Sequence, residues 1–387
     1  MVDTVYLDNA ATTQPDPRVV AASASWGAGF GNPSSMHATG RIARAAVDRA
    51  RAQVAELIGA SKDEIVFTAS GTEADNLAIR GVLGSMRDGR GHLVVSAIEH
   101  PAVLETAYYL QQCGLELTLV PPLENGIVDP DDVAAAIRPD TRLVSVMSAN
   151  NVTGTIQPIS RLAKTARERG VPFHTDAVQA AGKMPLDVKR DGIDLMSLSA
   201  HKFHGPQGVG ALFVRSGLDI APLILGGGQE RGLRSATENV AGIVGFGAAA
   251  EIARAEMSSE ACRLVAMRDR AIETVLGSVS GAYLIGDRYR RLPGHICLGF
   301  SGLEGEAIKL LLALDQMSIE VSSGSACSVH HAGSPSHVLT AMGFDPISAR
   351  GSLRVTFGRF TTNDDVDRLL AALPVAVSSL RPLNSSR

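Results

Sequence analysis

The sequence predicts an α/β protein with a large domain on a mainly parallel sheet and a smaller α+β domain. Two observations carry this. From about residue 60 to 215, short β-branched runs alternate with amphipathic stretches, the pattern of a parallel sheet covered on both faces. Beyond residue 217 the alternation stops, and a Gly-rich stretch to residue 232 leads into an Ala-rich helical segment, after which strands and helices mix.

Taken in order, the strand-like runs of the first part are 64–67, 92–96, 116–120, 142–147, 170–174, 193–198 and 210–215. Helical patterns fill most of the gaps. Residues 238 to about 257 form a helix that bridges to the second domain. The later part predicts strands over 294–300 and 352–357 and helices over 304–314, 334–342 and 363–373, the last capped by Asn363-Asp-Asp. Residues 384–387 have no apolar period and are expected to fray.

Hydrophobic residues make up 45% and charged residues 20% of the chain, which suits a globular protein with a large core. With 36 basic and 40 acidic residues the net charge is −4, and no block of like charge occurs, so direct charge-driven contact with nucleic acid is not expected. No run of eighteen apolar residues and no signal-like N-terminus is present, which predicts a cytoplasmic protein without membrane contact. Cys113, Cys262, Cys297 and Cys327 form no Cys-x-x-Cys pair, so neither a zinc site nor a disulfide framework is indicated. The first three sit in helical or strand-like settings and read as packing residues. Cys327 lies in the small polar run Ser322-Ser-Gly-Ser-Ala-Cys-Ser328, which offers its thiol access, and it is the candidate nucleophile.

Two residues point to a cofactor. Asp176, in His174-Thr-Asp-Ala-Val-Gln179, and Lys202, in Ser199-Ala-His-Lys202, each follow a strand-like run, so both fall at the carboxyl edge of the sheet, where α/β folds bind ligands. A lysine amine and an acid carboxylate are what pyridoxal phosphate requires, the first to form a Schiff base and the second to keep the ring nitrogen protonated. For an arbitrary Asp and Lys, a helix cap and a solvated surface lysine would be the better reading. The neighbours tip the balance. Ser199 and His201 flank Lys202 as phosphate donors, and Ser70-Gly-Thr-Glu-Ala74 follows a strand and opens a helix, a phosphate-binding arrangement. His100 ends another strand, where an imidazole could stack on a ring or move a proton; a structural histidine is an equal reading of that residue alone.

Together these motifs resemble the cysteine desulfurases of the bacterial NifS/IscS type, class-V aminotransferases of the fold type I pyridoxal phosphate enzymes. The resemblance runs nearly end to end, through Tyr6-Leu-Asp-Asn-Ala-Ala-Thr-Thr13, Gly31-Asn-Pro-Ser-Ser35, Thr72-Glu73, Glu99-His100, Asn150-Asn151, Gly226-Gly-Gly-Gln-Glu-Arg231, Arg234-Ser-Ala-Thr237, Ser323-Gly-Ser-Ala-Cys327 and 354–361. It implies a seven-stranded, mainly parallel sheet in a large domain over 15–250, and a small α+β domain from 1–14 and 251–387. Lys202 would carry the cofactor, Asp176 partner the pyridinium, His100 stack on the ring and Gln179 bond the ring hydroxyl. Gly71, Thr72, Ser199 and His201 would hold the phosphate, with Thr237 from the opposite subunit of a homodimer. Asn151 and Arg354 would bind the carboxylate of the substrate, L-cysteine. Lys202 or His100 would take the α-proton. Cys327 would accept the sulfur as a persulfide and pass it to a partner, an iron–sulfur scaffold or a DNA-modification protein.

Two departures bear on the branch. Iron–sulfur relatives typically read Asn-Asn-Glu-x-Gly where this chain has Asn150-Asn-Val-Thr-Gly154, and Ser328-Val-His-His-Ala-Gly333 follows the candidate nucleophile. These departures most resemble the DndA type, which serves DNA phosphorothioate modification. Housekeeping supply for iron–sulfur clusters or tRNA thiolation, and selenocysteine lyase activity, are the alternatives. An aminotransferase would need no thiol at 327, and a sulfur-relay scaffold would not need every catalytic residue type.

Overall fold

The computed structural model describes residues 4–27, 29–84, 91–324 and 334–381. After the short N-terminal strand β1 (Val5–Tyr6), the chain builds a sheet from β2 (Ile65–Thr68), β3 (His92–Ser96), β4 (Glu116–Val120), β5 (Thr141–Ser145), β6 (Phe173–Asp176), β7 (Leu195–Ser199) and β8 (Gly210–Val214). Its seven strands run in the order β2-β8-β7-β6-β5-β3-β4. Only β8 is antiparallel to its neighbours, so the expected mainly parallel sheet is present.

Alternation along the strands sends side chains to two separate layers. Val66, Leu93, Val95, Leu195 and Leu212 pack with α3 (Gly71–Gly84) and α4 (Pro101–Gln112). Ile65, Phe67, Val94, Phe173, Met196 and Phe213 face the other way, towards a core that includes Val47 and Val54 of the helix Ala38–Leu57. Both faces are therefore dry, which is why these strands read as short continuous apolar runs.

The Ala-rich segment extends further than its composition predicts, as one helix from Val240 to Ser278. Ile243, Phe246 and Ala250 in its first half join the core of the large sheet, and Met267, Ala271, Ile272 and Val275 in its second half join a separate core. That second core lies on a four-stranded sheet in which His295–Phe300 and Leu353–Thr356 pair antiparallel, with Ala282–Leu284 and Ser322–Ser323 at the edges. Val5 and Leu7 belong to it as well. The last helix runs from Asn363 to Leu380, longer than expected, and its cap is Thr362, whose side chain and that of Asp365 bond each other's backbone amides, rather than the Asn363 run.

The reading of three cysteines as packing residues holds only for Cys297, which is buried; Cys113 and Cys262 are exposed. Cys113 caps the end of α4, and Cys262 lies on the stretch of the long helix between its two buried halves, where no core meets it. Among the described residues, no helix is long and apolar enough to cross a membrane.

Candidate active site

The carboxyl ends of β2, β3, β5, β6 and β7 meet at one edge of the large sheet, because β2 is antiparallel to β8 and β8 to β7, which leaves β2 aligned with the parallel strands. Asp176 is the last residue of β6, opposite Ser197 of β7. Lys202 follows β7 in a single 3₁₀ turn, Ala200–Lys202. Both line a cavity of about 330 Å³, along with Gly71, Thr72, His100, Asn151, Gln179, Ser199 and His201. Nine of the residues singled out from sequence thus share one space.

One end of the cavity is made for an anion. Gly71 opens α3, and the first amides of a helix have no partner within it. Ser70 Oγ accepts from Glu73 N at 3.1 Å, so the amides of Gly71 and Thr72 remain beside Ser199 and His201. The glycine is required by packing: a Cβ at 71 would stand 2.7 Å from Val178 Cγ2 and 3.3 Å from Ser199 Cβ. His201 Nδ1 meets Thr12 Oγ1 at 3.0 Å. Burial and the charge of Lys202 lower its pKa to about 4.

At the floor, Asp176 Oδ1 accepts from Val178 N at 2.8 Å. Burial raises its pKa while that amide and Lys202 oppose the rise. Lys202 Nζ donates to Ala10 O and Ala11 O, both at 2.7 Å, which brings the N-terminal segment over the site. His100 caps α4: its Nδ1 accepts from Ala102 N at 3.1 Å, so the proton of the neutral ring sits on Nε2. Burial, then Lys202 and His337, lower the pKa of this imidazole to about 4. A neutral ring with a committed Nδ1 suits stacking better than proton abstraction.

Two sequence candidates lie elsewhere, and a third falls outside the described residues. Arg354 is buried but does not line the cavity; its guanidinium donates to Asp8 Oδ1 at 2.8 Å and to Asn151 O at 3.0 Å. Thr237 lines a different cavity of about 150 Å³, with Thr68, Ala69 and Glu238. Cys327 lies outside the described residues, as do His330 and His331. The described chain stops at Gly324, where a Cβ would be 2.9 Å from Val152 Cγ1, and resumes before His337, whose Nε2 lies 2.9 Å from Glu99 O.

Sequence reasoning missed Asp75, which lines the cavity one turn into α3, and Lys183, whose Nζ donates to Gln179 Oε1 at 3.0 Å. The i, i+4 spacing from Gln179 was the available signal for the lysine. Nothing in the sequence marks Asp75.

The donors fit pyridoxal phosphate: helix-terminal amides with a serine and a histidine for phosphate, a buried carboxylate for the ring nitrogen, a neutral imidazole for the ring face, and a lysine. The model of the class-V aminotransferase family matches residues 5–369, and the chain belongs to that family. The cysteine desulfurase IscS of Dictyoglomus turgidum is 48% identical over 381 residues, covering 98% of this chain and 96% of that protein. Among solved structures, a NifS-like protein superposes with a TM-score of 0.90 at 37% identity, over 98% of this chain and all of the other. DndA from Streptomyces lividans superposes with a TM-score of 0.77 at 36% identity, over 89% of this chain and 97% of that one. Within the family, this chain is a cysteine desulfurase that depends on pyridoxal phosphate.

Proposed function

We propose that the enzyme moves the sulfur of L-cysteine onto Cys327 as a persulfide and hands it to an acceptor protein. The observation that carries this is where the chain brackets the thiol. Gly324 packs on Val152, next to the cavity-lining Asn151, and His337 bonds the carbonyl next to His100. Cys327 follows Gly324 by three residues, a covalent reach of at most about 11 Å.

The bound cofactor supplies a ring that withdraws electrons from the substrate α-carbon. Gly71, Thr72, Ser199 and His201 hold its phosphate, with Thr237 contributed by a second copy of the chain in a homodimer. Asp176 would keep a proton on the ring nitrogen, His100 would cover the ring face and Gln179 would donate to the ring hydroxyl. Lys202 takes the α-proton, because His100 has its Nδ1 committed and its Nε2 protonated. Asn151 binds the substrate carboxylate together with Arg354, which exchanges Asp8 for it. The Cys327 thiolate attacks the substrate sulfur: a sulfur–sulfur bond forms, the carbon–sulfur bond breaks, its electron pair stays with the β-carbon, and protonation there together with return of the α-proton from Lys202 releases alanine.

The high identity to a protein named IscS favours an iron–sulfur scaffold as acceptor. A second reading, supply to a DNA-modification protein, is favoured by Val152 and by the likeness to DndA. With L-cysteine and a thiol reductant the purified enzyme is expected to release alanine and sulfide, and without reductant to gain one sulfur atom on Cys327. Alanine release undiminished by Cys327→Ser would overturn the nucleophile. Labelled-sulfur transfer to an iron–sulfur scaffold protein, set against transfer to a DNA-modification protein, separates the two acceptors.

A further inference from the structure

Residues 177–184 wind through successive turns, with Ala181 N bonded to Ala177 O at 2.8 Å and Met184 N to Ala180 O at 3.1 Å. Gln179 and Lys183 therefore share a face. Lys183 Nζ donates to Gln179 Oε1 at 3.0 Å, and Gln179 Nε2 donates to Ala10 O at 2.8 Å. A carboxamide has nearly isosteric ends and can turn either one to a ligand. Here its two neighbours favour one orientation: a carbonyl only accepts, and Lys183 Nζ, which only donates as an ammonium, still carries N–H donors as an amine. Reversing the amide would set its N–H groups against the ammonium and its oxygen against Ala10 O, losing both bonds. Ala10 takes one of the two protons on Nε2, so the other is left for a ligand in the cavity that Gln179 lines.

Lys183 has no role in the chemistry proposed above. It is crowded by positive charge: burial, then Lys202 and Arg354, lower its pKa to about 7. His201, His204 and His295 also feel its charge. Such a lysine is costly to keep unless its ammonium does something a neutral side chain would not.

We propose that Lys183 is a positioning residue that fixes the Gln179 carboxamide so that an N–H donor, and never the oxygen, faces the ring oxygen of bound pyridoxal phosphate. The inference rests on Gln179 as partner of the ring hydroxyl. A donor there stabilises negative charge on the ring oxygen and lowers the pH at which the chromophore of the loaded protein loses its proton; an oxygen there does the reverse.

The test uses the full-length, cofactor-loaded protein, with the pH midpoint of its visible absorbance and the Kd of pyridoxal phosphate as readouts. Lys183→Met is expected to raise the midpoint by about 0.5 to 1 pH unit and to weaken cofactor binding by about threefold to tenfold. Lys183→Arg, which keeps a cationic donor, is expected to restore both. In a Gln179→Ala background, Lys183→Met is expected to add nothing. An unchanged midpoint in Lys183→Met overturns the proposal, as does a shift of full size in the Gln179→Ala background, which would mean a through-space field. If Lys183→Met does not fold, Lys183→Leu takes its place, and there too a raised midpoint supports the proposal and an unchanged one overturns it. If Gln179→Ala itself leaves the midpoint unchanged, the assignment of Gln179 has failed and the proposal falls with it; if only Lys183→Met is silent, Gln179 stands and Lys183 alone is refuted.

Discussion

Asp75 Oδ1 lies 3.7 Å from His174 Nε2 at the base of the cofactor cavity, yet the two are not an ion pair. Both are fully buried. Burial holds the imidazole neutral, with its pKa lowered to about 3, and burial, then the nearby Asp176 carboxylate, pushes the Asp75 carboxyl well above the usual carboxylate range. The imidazole instead meets hydroxyls on both sides, Ser145 Oγ at 2.8 Å and Ser197 Oγ at 3.0 Å. Of the two aspartates, Asp176 is the one whose neighbours, the Val178 amide and Lys202, favour the charged form.

The two aspartates should therefore respond differently to the same isosteric change. Asp75→Asn keeps the shape of a side chain whose burial disfavours charge and is expected to keep cofactor affinity and kcat/KM within about tenfold of wild type. On the proposed role, Asp176→Asn removes the partner of a buried cation, a loss of about 3–5 kcal/mol, or a factor on the order of 10²–10⁴ in kcat/KM. Equal losses in the two variants would show that Asp75 is the charged residue.

Glu99 sets a pH dependence of stability. Its Oε1 accepts from Ser96 Oγ and from Met147 N at 2.7 Å, its Oε2 has no partner among the described residues, and burial raises its pKa to about 8. The folded protein thus binds this proton more tightly than the unfolded chain. The contribution is fully present below the unfolded value of 4.5 and is lost as the pH rises through about 8. Glu99→Gln keeps a neutral side chain at every pH. The stability difference between the two cofactor-free proteins, from urea unfolding, should move in favour of the variant by on the order of 3 kcal/mol between pH 5 and pH 9. Parallel pH profiles would rule this out.

Much of the site was legible because its residues close strands. Asp176 and Ser199 close β6 and β7, and the topology gathers strand ends at one edge; His100, expected to end a strand, instead caps α4 four residues after β3 stops at Ser96. The second layer was not legible. Asp75 reaches the cavity and Lys183 reaches Gln179 only through the packing of their neighbours, and Arg354 meets Asp8 across 346 residues of chain. The length of the Val240–Ser278 helix was missed for a related reason: its buried stripe moves from one core to another halfway along, so no single period spans it.

Gly71→Ala tests the phosphate end without touching a polar group. The new Cβ would stand 2.7 Å from Val178 Cγ2, so either α3 or Val178 must shift. Overpacking of this kind costs about 1–3 kcal/mol, and displaced amides should weaken cofactor binding by about tenfold or more. Val178→Ala in the same chain should recover most of the affinity, measured by fluorescence titration with pyridoxal phosphate. Failure of that second change to rescue would mean that glycine is needed for another reason.

The thiols should sort by accessibility. Cys113 and Cys262 are exposed, and Cys297 is buried with its pKa pushed up to about 11. Thiolate is the reactive form, so iodoacetamide near neutral pH should leave Cys297 unlabelled until the protein unfolds. Replacing Cys113 and Cys262 together by serine should leave desulfurase activity unchanged, since neither lines the cofactor cavity. In that variant a single fast-reacting thiol is expected, and peptide mapping should place it at Cys327, its labelling running in step with loss of alanine release. Inactivation that instead tracks label at Cys297 would require the buried strand His295–Phe300 to open during turnover, and would remove Cys327 from its proposed role.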